Sequence, residues 1–68
     1  MRIELNGAAV ELPDDATIGD AVVRAGVGGQ AKGVAVALDG QVVPRGSWEG
    51  TELHDGQAVE VLAAIQGG

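Results

Sequence analysis

The sequence predicts an α+β domain in which one main helix packs on one face of a mixed sheet of four or five strands. Residues 2–12 alternate polar and apolar side chains around an Asn-Gly dipeptide, which is a strong β-hairpin signal. One apolar stripe at helical spacing follows, and then several apolar runs bounded by turn residues. A helix laid across a sheet is the economical way to cover such faces. Because 68 residues suffice for one domain only, we expect residues 1–68 to form a single domain.

The hairpin joins a strand over residues 2–6 to a strand over residues 10–12 through Asn6-Gly7. Alternation places the apolar side chains of both strands on one core face. We expect Ile3 and Leu5 to pair with Val10 and Leu12. Pro13 ends the second strand because it has no N–H to donate to a ladder.

The predicted helix begins after Thr17, with Asp20 three residues later in the pattern of a capping box. Gly26 ends it in the position of a C′ glycine. Its apolar stripe consists of Ile18, Ala21, Val22 and Ala25. A helix of about nine residues is marginal in isolation, so packing against the sheet must hold it.

The second half of the chain contains three strand patterns. Residues 34–38 form a continuous apolar run, which predicts a central strand buried on both faces. Residues 41–43 form a short strand after the Asp39-Gly40 turn. Residues 57–65 form the last strand. One of its faces carries Val59, Val61, Ala63 and Ile65, and the other carries Ala58, Glu60, Leu62 and Ala64.

Two side chains of this half have two readings each. Leu62 shares a face with Glu60, so Leu62 and Ala64 either form an exposed apolar patch that contacts a partner or are covered by a loop. Trp48, the only aromatic residue, is expected to anchor the core rather than to bind a ligand.

Charge and composition exclude several classes of function. Ten acidic and four basic side chains give a net charge of −6, whereas nucleic-acid binding needs a basic surface. No run of 18 apolar residues is present, so we expect no membrane span, and the first residues lack the apolar stretch of a signal peptide. The expected location is therefore the cytoplasm.

The residue types also argue against catalysis or metal binding by the chain itself. There is no cysteine and one histidine, so we expect no metal site and no cysteine nucleophile. No set of side chains suggests a catalytic constellation. We expect a protein that binds no cofactor and is not an enzyme.

Two motifs and the chain end carry a family resemblance. A hairpin, a helix, further strands and a terminal Gly67-Gly68 resemble the β-grasp fold of ubiquitin-like proteins. Residues 42–48, Val-Val-Pro-Arg-Gly-Ser-Trp, resemble the V-P-R-x-x-W stretch of the sulfur carrier family of thiamin biosynthesis. Residues 55–61 are similar to that family's D-G-D-x-[VI]-[ED] entry into the last strand, with Gln57 in place of the usual Asp.

The resemblance implies a mechanism in which Gly68 is the working residue. Its carboxylate would be adenylated with ATP by an enzyme related to ubiquitin-activating enzymes. A sulfur donor protein would supply the sulfur of a thiocarboxylate, and thiazole synthase would consume it. Gly67 would give clearance within a flexible tail of residues 66–68. Gln66 and Arg45 join Leu62 and Ala64 as candidate partner contacts.

Three alternatives remain open from the sequence. The carrier of molybdopterin biosynthesis shares the fold, the tail and the chemistry. A ubiquitin-like protein modifier is a second alternative, although Lys32 is the only lysine on which chains of such a modifier could grow. The third is an interaction module whose tail is inert.

Overall fold

A five-stranded mixed sheet carries an α-helix on one face in this computed structural model, which describes residues 1–26 and 33–63. The elements in chain order are β1 (Arg2–Leu5), β2 (Ala8–Glu11), α1 (Ile18–Arg24), β3 (Val34–Leu38), β4 (Gln41–Val42), a 3₁₀ helix (Arg45–Ser47) and β5 (Ala58–Ala63). The strand order is β2-β1-β5-β3-β4, and β1 and β5 form the parallel pair. The predicted fold class is confirmed.

The first hairpin forms around Asn6-Gly7, as its sequence predicts. Asn6 and Gly7 have φ angles of 51° and 85°, as a two-residue type I′ turn requires. This turn fixes the register, so Ile3 pairs with Val10 and Leu5 with Ala8. The expected place of Leu12 within the second strand is therefore wrong: it follows the end of β2, where its N–H donates to the carbonyl of Met1 at 2.9 Å.

Helix α1 begins with the predicted capping box. The Thr17 hydroxyl accepts from the Asp20 N–H at 3.4 Å, and the Asp20 carboxylate accepts from the Thr17 N–H at 2.8 Å. Ile18, Ala21 and Val22 are buried against the sheet, as the apolar stripe predicts. The helix is thus held by its cap and by its packing, in line with its short length.

The segment 48–53 packs against the start of α1 and closes the core on that side. The N–H of Ile18 donates to the carbonyl of Thr51 at 3.0 Å, and the N–H of Gly19 donates to that of Trp48 at 3.3 Å. The Trp48 ring is buried, and its Nε1 donates to the carbonyl of Val43 at 2.9 Å. These contacts make Trp48 the structural anchor expected for it. The core consists of Ile3, Leu5, Ile18, Ala21, Val22, Val36, Trp48, Leu53, Val59 and Val61.

The prediction that residues 34–38 form a central strand buried on both faces is correct in that β3 is not an edge strand, and wrong in that one of its faces is open. The strand between β1 and β3 is β5, and β3 lies nearer the edge, between β5 and β4. Only Val36 of β3 is fully buried, and Ala35 is exposed. The physical reason is that α1 covers one face of the sheet, so the alternate residues of β3 face outward although they are apolar.

Candidate functional site

The candidate site lies where the described part of β5 ends. The structure describes this strand up to Ala63, which pairs with Val34 and is exposed. The predicted site residues Ala64, Gln66, Gly67 and Gly68 lie outside the described residues. The geometry that bears on function is therefore that of the surface around the last two residues of β5.

The sheet face opposite α1 brings four apolar side chains together. Strand register places Leu62 of β5 beside Ala35 of β3, and Ala37 between Glu60 and Val42. Residues paired in this way point to the same face of a sheet. We define the open-face patch as Ala35, Ala37, Val42 and Leu62.

The two larger side chains of the open-face patch are strongly exposed. Leu62 is 68% exposed and Val42 is 78% exposed, which makes them two of the three exposed large apolar residues in the described chain. Of the two readings of Leu62, exposure is therefore correct and coverage by a loop is wrong. Apolar surface grouped in this way, with polar residues around it, is typical of a protein interaction site.

The remainder of the same face is charged. Arg2, Glu4 and Glu11 lie on its β1–β2 half, where Arg2 Nε and Glu11 Oε2 form an exposed ion pair at 2.9 Å. Such a pair contributes little to stability. Glu60 lies between this charged half and the open-face patch. A partner that covers the patch would be best matched by an apolar surface with a basic group opposite Glu60.

Arg45 is exposed, as a partner contact requires. It begins the 3₁₀ helix that follows β4, three residues beyond Val42. Its side chain forms no ion pair with another described residue, so its guanidinium is not engaged by that part of the chain. The structure does not place Arg45 within the open-face patch, and its role as a contact stays a prediction.

Sequence reasoning missed Val42, Ala35 and Ala37 as members of this surface. For Ala35 and Ala37 the signal was present in the uninterrupted apolar run of residues 34–38, and Val42 follows as the strand partner of Ala37. One helix can cover only one face of a sheet. A strand that is apolar on both faces, as β3 is, then keeps one apolar face open. The same run that suggested a central strand thus indicates a contact surface.

Two other kinds of site are not found in the described residues. Within residues 1–26 and 33–63, no group of three or more His, Cys, Asp or Glu side chains could hold a metal ion. Within the same ranges, no helix has the length and apolar character needed to cross a membrane. His54 is exposed in a loop, where its backbone N–H donates to the side-chain oxygen of Gln57 at 2.7 Å.

Comparison with known proteins gives a consistent result. The model of the ThiS family matches residues 2–68. A crystal structure of a thiamine biosynthesis protein (ThiS) from Geobacter metallireducens is 30% identical, with a TM-score of 0.79 and complete coverage of both chains. An NMR solution structure of a thiamine biosynthesis protein from the same organism is 31% identical, with a TM-score of 0.80, and the match covers 100% of this chain and 88% of that one. No curated protein sequence matches the chain.

Replacing Leu62 by aspartate should leave the fold intact, because the new carboxylate stays in water. We expect Leu62→Asp to change the free energy of unfolding by no more than about 0.5 kcal/mol. Its neighbour Val61 is 6% exposed, so Val61→Asp buries an unpaired charge and should cost about 3 kcal/mol or more. Urea denaturation followed by circular dichroism measures both, and equal losses would show that Leu62 belongs to the core.

Proposed function

The chain belongs to the ThiS family of ubiquitin-like sulfur carriers, and we propose that it delivers sulfur for the thiazole ring of thiamin. It is a small carrier protein rather than a catalyst, and partner enzymes do the chemistry. The observation that carries the proposal is the family match over nearly the whole chain, together with two thiamin-biosynthesis structures of the same fold. The same observations favour this pathway over the molybdopterin carrier, a protein modifier or an inert module.

In the proposed reaction, the carboxylate of Gly68 is the group that changes. A carboxylate is a poor acyl donor, so one of its oxygens first attacks the α-phosphate of ATP on the adenylating enzyme, and pyrophosphate leaves. Sulfide-level sulfur from the donor protein then attacks the carbonyl carbon. The C–O bond to the phosphate breaks, AMP leaves with that oxygen, and a thiocarboxylate remains for thiazole synthase.

The residue type at the last two positions supports this assignment. The reacting carbon must enter a site narrow enough to align it with a phosphate. Gly67 and Gly68 bring no side chain that could clash there, and glycine adopts backbone angles that other residues do not. An extended segment of residues 66–68 reaches about 10 Å, enough to separate the reacting group from the sheet.

The open-face patch is the proposed docking surface for the adenylating enzyme. Leu62 lies on the strand that leads to Gly68, six residues before it, so contact at the patch would bring the last residues close to that enzyme. Ala64, Gln66 and Arg45 are proposed to extend this contact. The net charge of −6 favours a basic partner surface and acts mainly on the rate of encounter.

A charge placed on the patch should weaken docking more than the same charge elsewhere. Val23 on α1 is 68% exposed, as is Leu62, but it lies on the helix that covers the other face of the sheet. We expect Leu62→Asp to raise the dissociation constant for the adenylating enzyme by about tenfold or more, because it puts a charge into an apolar contact. Val23→Asp adds the same charge and should bind like the unaltered protein in isothermal titration calorimetry. Equal weakening by both variants would place the docking surface elsewhere.

The proposed chemistry changes the mass of the protein. After incubation with the adenylating enzyme, ATP and a sulfur source, we expect intact-mass spectrometry to show one oxygen replaced by sulfur. Fragmentation should place the change on Gly68, and a variant without Gly68 should keep its original mass. An unaltered mass of the full chain, with an enzyme that is active on another carrier, would overturn the proposed function.

A further inference from the structure

In each of the two described hairpin turns, one side chain accepts a hydrogen bond from the backbone of the central strand, β5. The β1–β2 turn is Asn6-Gly7 and the β3–β4 turn is Asp39-Gly40. Asn6 and Asp39 have φ angles of 51° and 49°, so the two turns share one backbone geometry. Asn6 Oδ1 accepts from the N–H of Val61 at 2.8 Å, and Asp39 Oδ1 accepts from the N–H of Ala58 at 2.9 Å.

The Asn6 side chain supplies the next hydrogen bond to β5 after the backbone of β1 has ended. On this side of β5, the N–H of Glu4 donates to the carbonyl of Gln57, and the N–H of Asn6 donates to that of Val59, both at 2.9 Å. At Asn6 the chain turns toward β2. The next backbone group of β5 on that side is the N–H of Val61, and the carboxamide oxygen of Asn6 takes it.

Beyond Val61, the described part of β5 pairs with one neighbour. Leu62 and Ala63 pair with Ala35 and Val34 of β3, and no described residue of β1 lies opposite them. Asn6 therefore accepts the last hydrogen bond that the described residues show on the β1 side before residue 64. Asp39 makes the equivalent contact at the other end of the strand, farthest from Gly68.

We propose that Asn6 is a positioning residue for the reaction at Gly68, which rests on the proposed function. Its hydrogen bond to Val61 sets the direction in which β5 leads the last residues toward the adenylating enzyme. Two more described residues, Leu62 and Ala63, follow Val61 in β5, so the direction of the strand at Val61 sets the point from which residue 64 continues toward Gly68. A misplacement of about 1 Å at a reacting group can cost about a hundredfold in rate.

The two turns supply a matched pair of variants. Glycine adopts a positive φ readily, so Asn6→Gly and Asp39→Gly both keep the turn geometry and remove a side-chain bond to β5. Asp39 also accepts from the amide of Gln57 at 3.2 Å, so its loss is at least as damaging to local structure. A purely structural role predicts that both variants behave alike.

The test is the steady-state rate of carrier adenylation, measured as pyrophosphate release with the adenylating enzyme. We expect Asn6→Gly to lower kcat by about 10- to 100-fold. KM should change little, because the pairing of β5 with β3 still holds the residues of the open-face patch in place for docking. Asp39→Gly should keep both constants near those of the unaltered chain despite a similar loss in Tm. Asn6→Asp keeps an acceptor oxygen and tolerates positive φ, so it should restore most of kcat.

The outcomes separate this inference from the proposed function. Equal losses of kcat in Asn6→Gly and Asp39→Gly, or none in Asn6→Gly, would overturn the positioning role while the unaltered chain still turns over. Absence of turnover by the unaltered chain would overturn the proposed function itself. Should Asn6→Gly lower the Tm below the assay temperature, both glycine variants are compared at a lower temperature, where the same difference in kcat is expected.

Discussion

Helix α1 covers one face of the five-stranded sheet, and within residues 1–26 and 33–63 no second α-helix covers the opposite face. The other features of the described structure depend on this one-sided covering. Ile18, Ala21 and Val22 of α1 close the core on one side. The opposite face stays in water, although half of it is apolar. Burial of a small core, aliphatic except for Trp48, stabilises the domain, and the same arrangement leaves surface free for a partner.

The central strand serves both sides of this arrangement. Val59 and Val61 of β5 point into the core, while Glu60 and Leu62 point to the open face. Neighbours on both sides fix the strand, and the side chains of Asn6 and Asp39 add to its backbone pairing. Under the proposed function, a reactive end attached to such a strand starts from a defined position, and the proposed alignment of one atom with a phosphate requires this.

Local features of the fold were predictable from the sequence, and the order of the strands was not. The Asn6-Gly7 turn and the Thr17 capping box depend on neighbours in the chain, so short patterns reveal them. The alternation of β5 likewise revealed which side of the strand carries Leu62. The place of β3 depends on long-range pairing, and the apolar run of residues 34–38 fits a covered and a half-covered strand equally well. Val42 was missed as a contact residue for the same reason, since its neighbour Ala37 was expected to be buried. The proposed role of Gly68 rests on the family resemblance rather than on physical patterns.

An NMR titration of the isotope-labelled protein with the adenylating enzyme and ATP shows directly which surface the enzyme contacts. We expect the largest changes in amide and methyl signals at Leu62, Val42 and Ala35 of the open-face patch, continuing to Gly68. Signals of Val23 and the other outward residues of α1 should remain unchanged apart from general broadening. Changes concentrated on α1, with the open-face patch unaffected, would contradict the claim that the uncovered face of the sheet is the working surface.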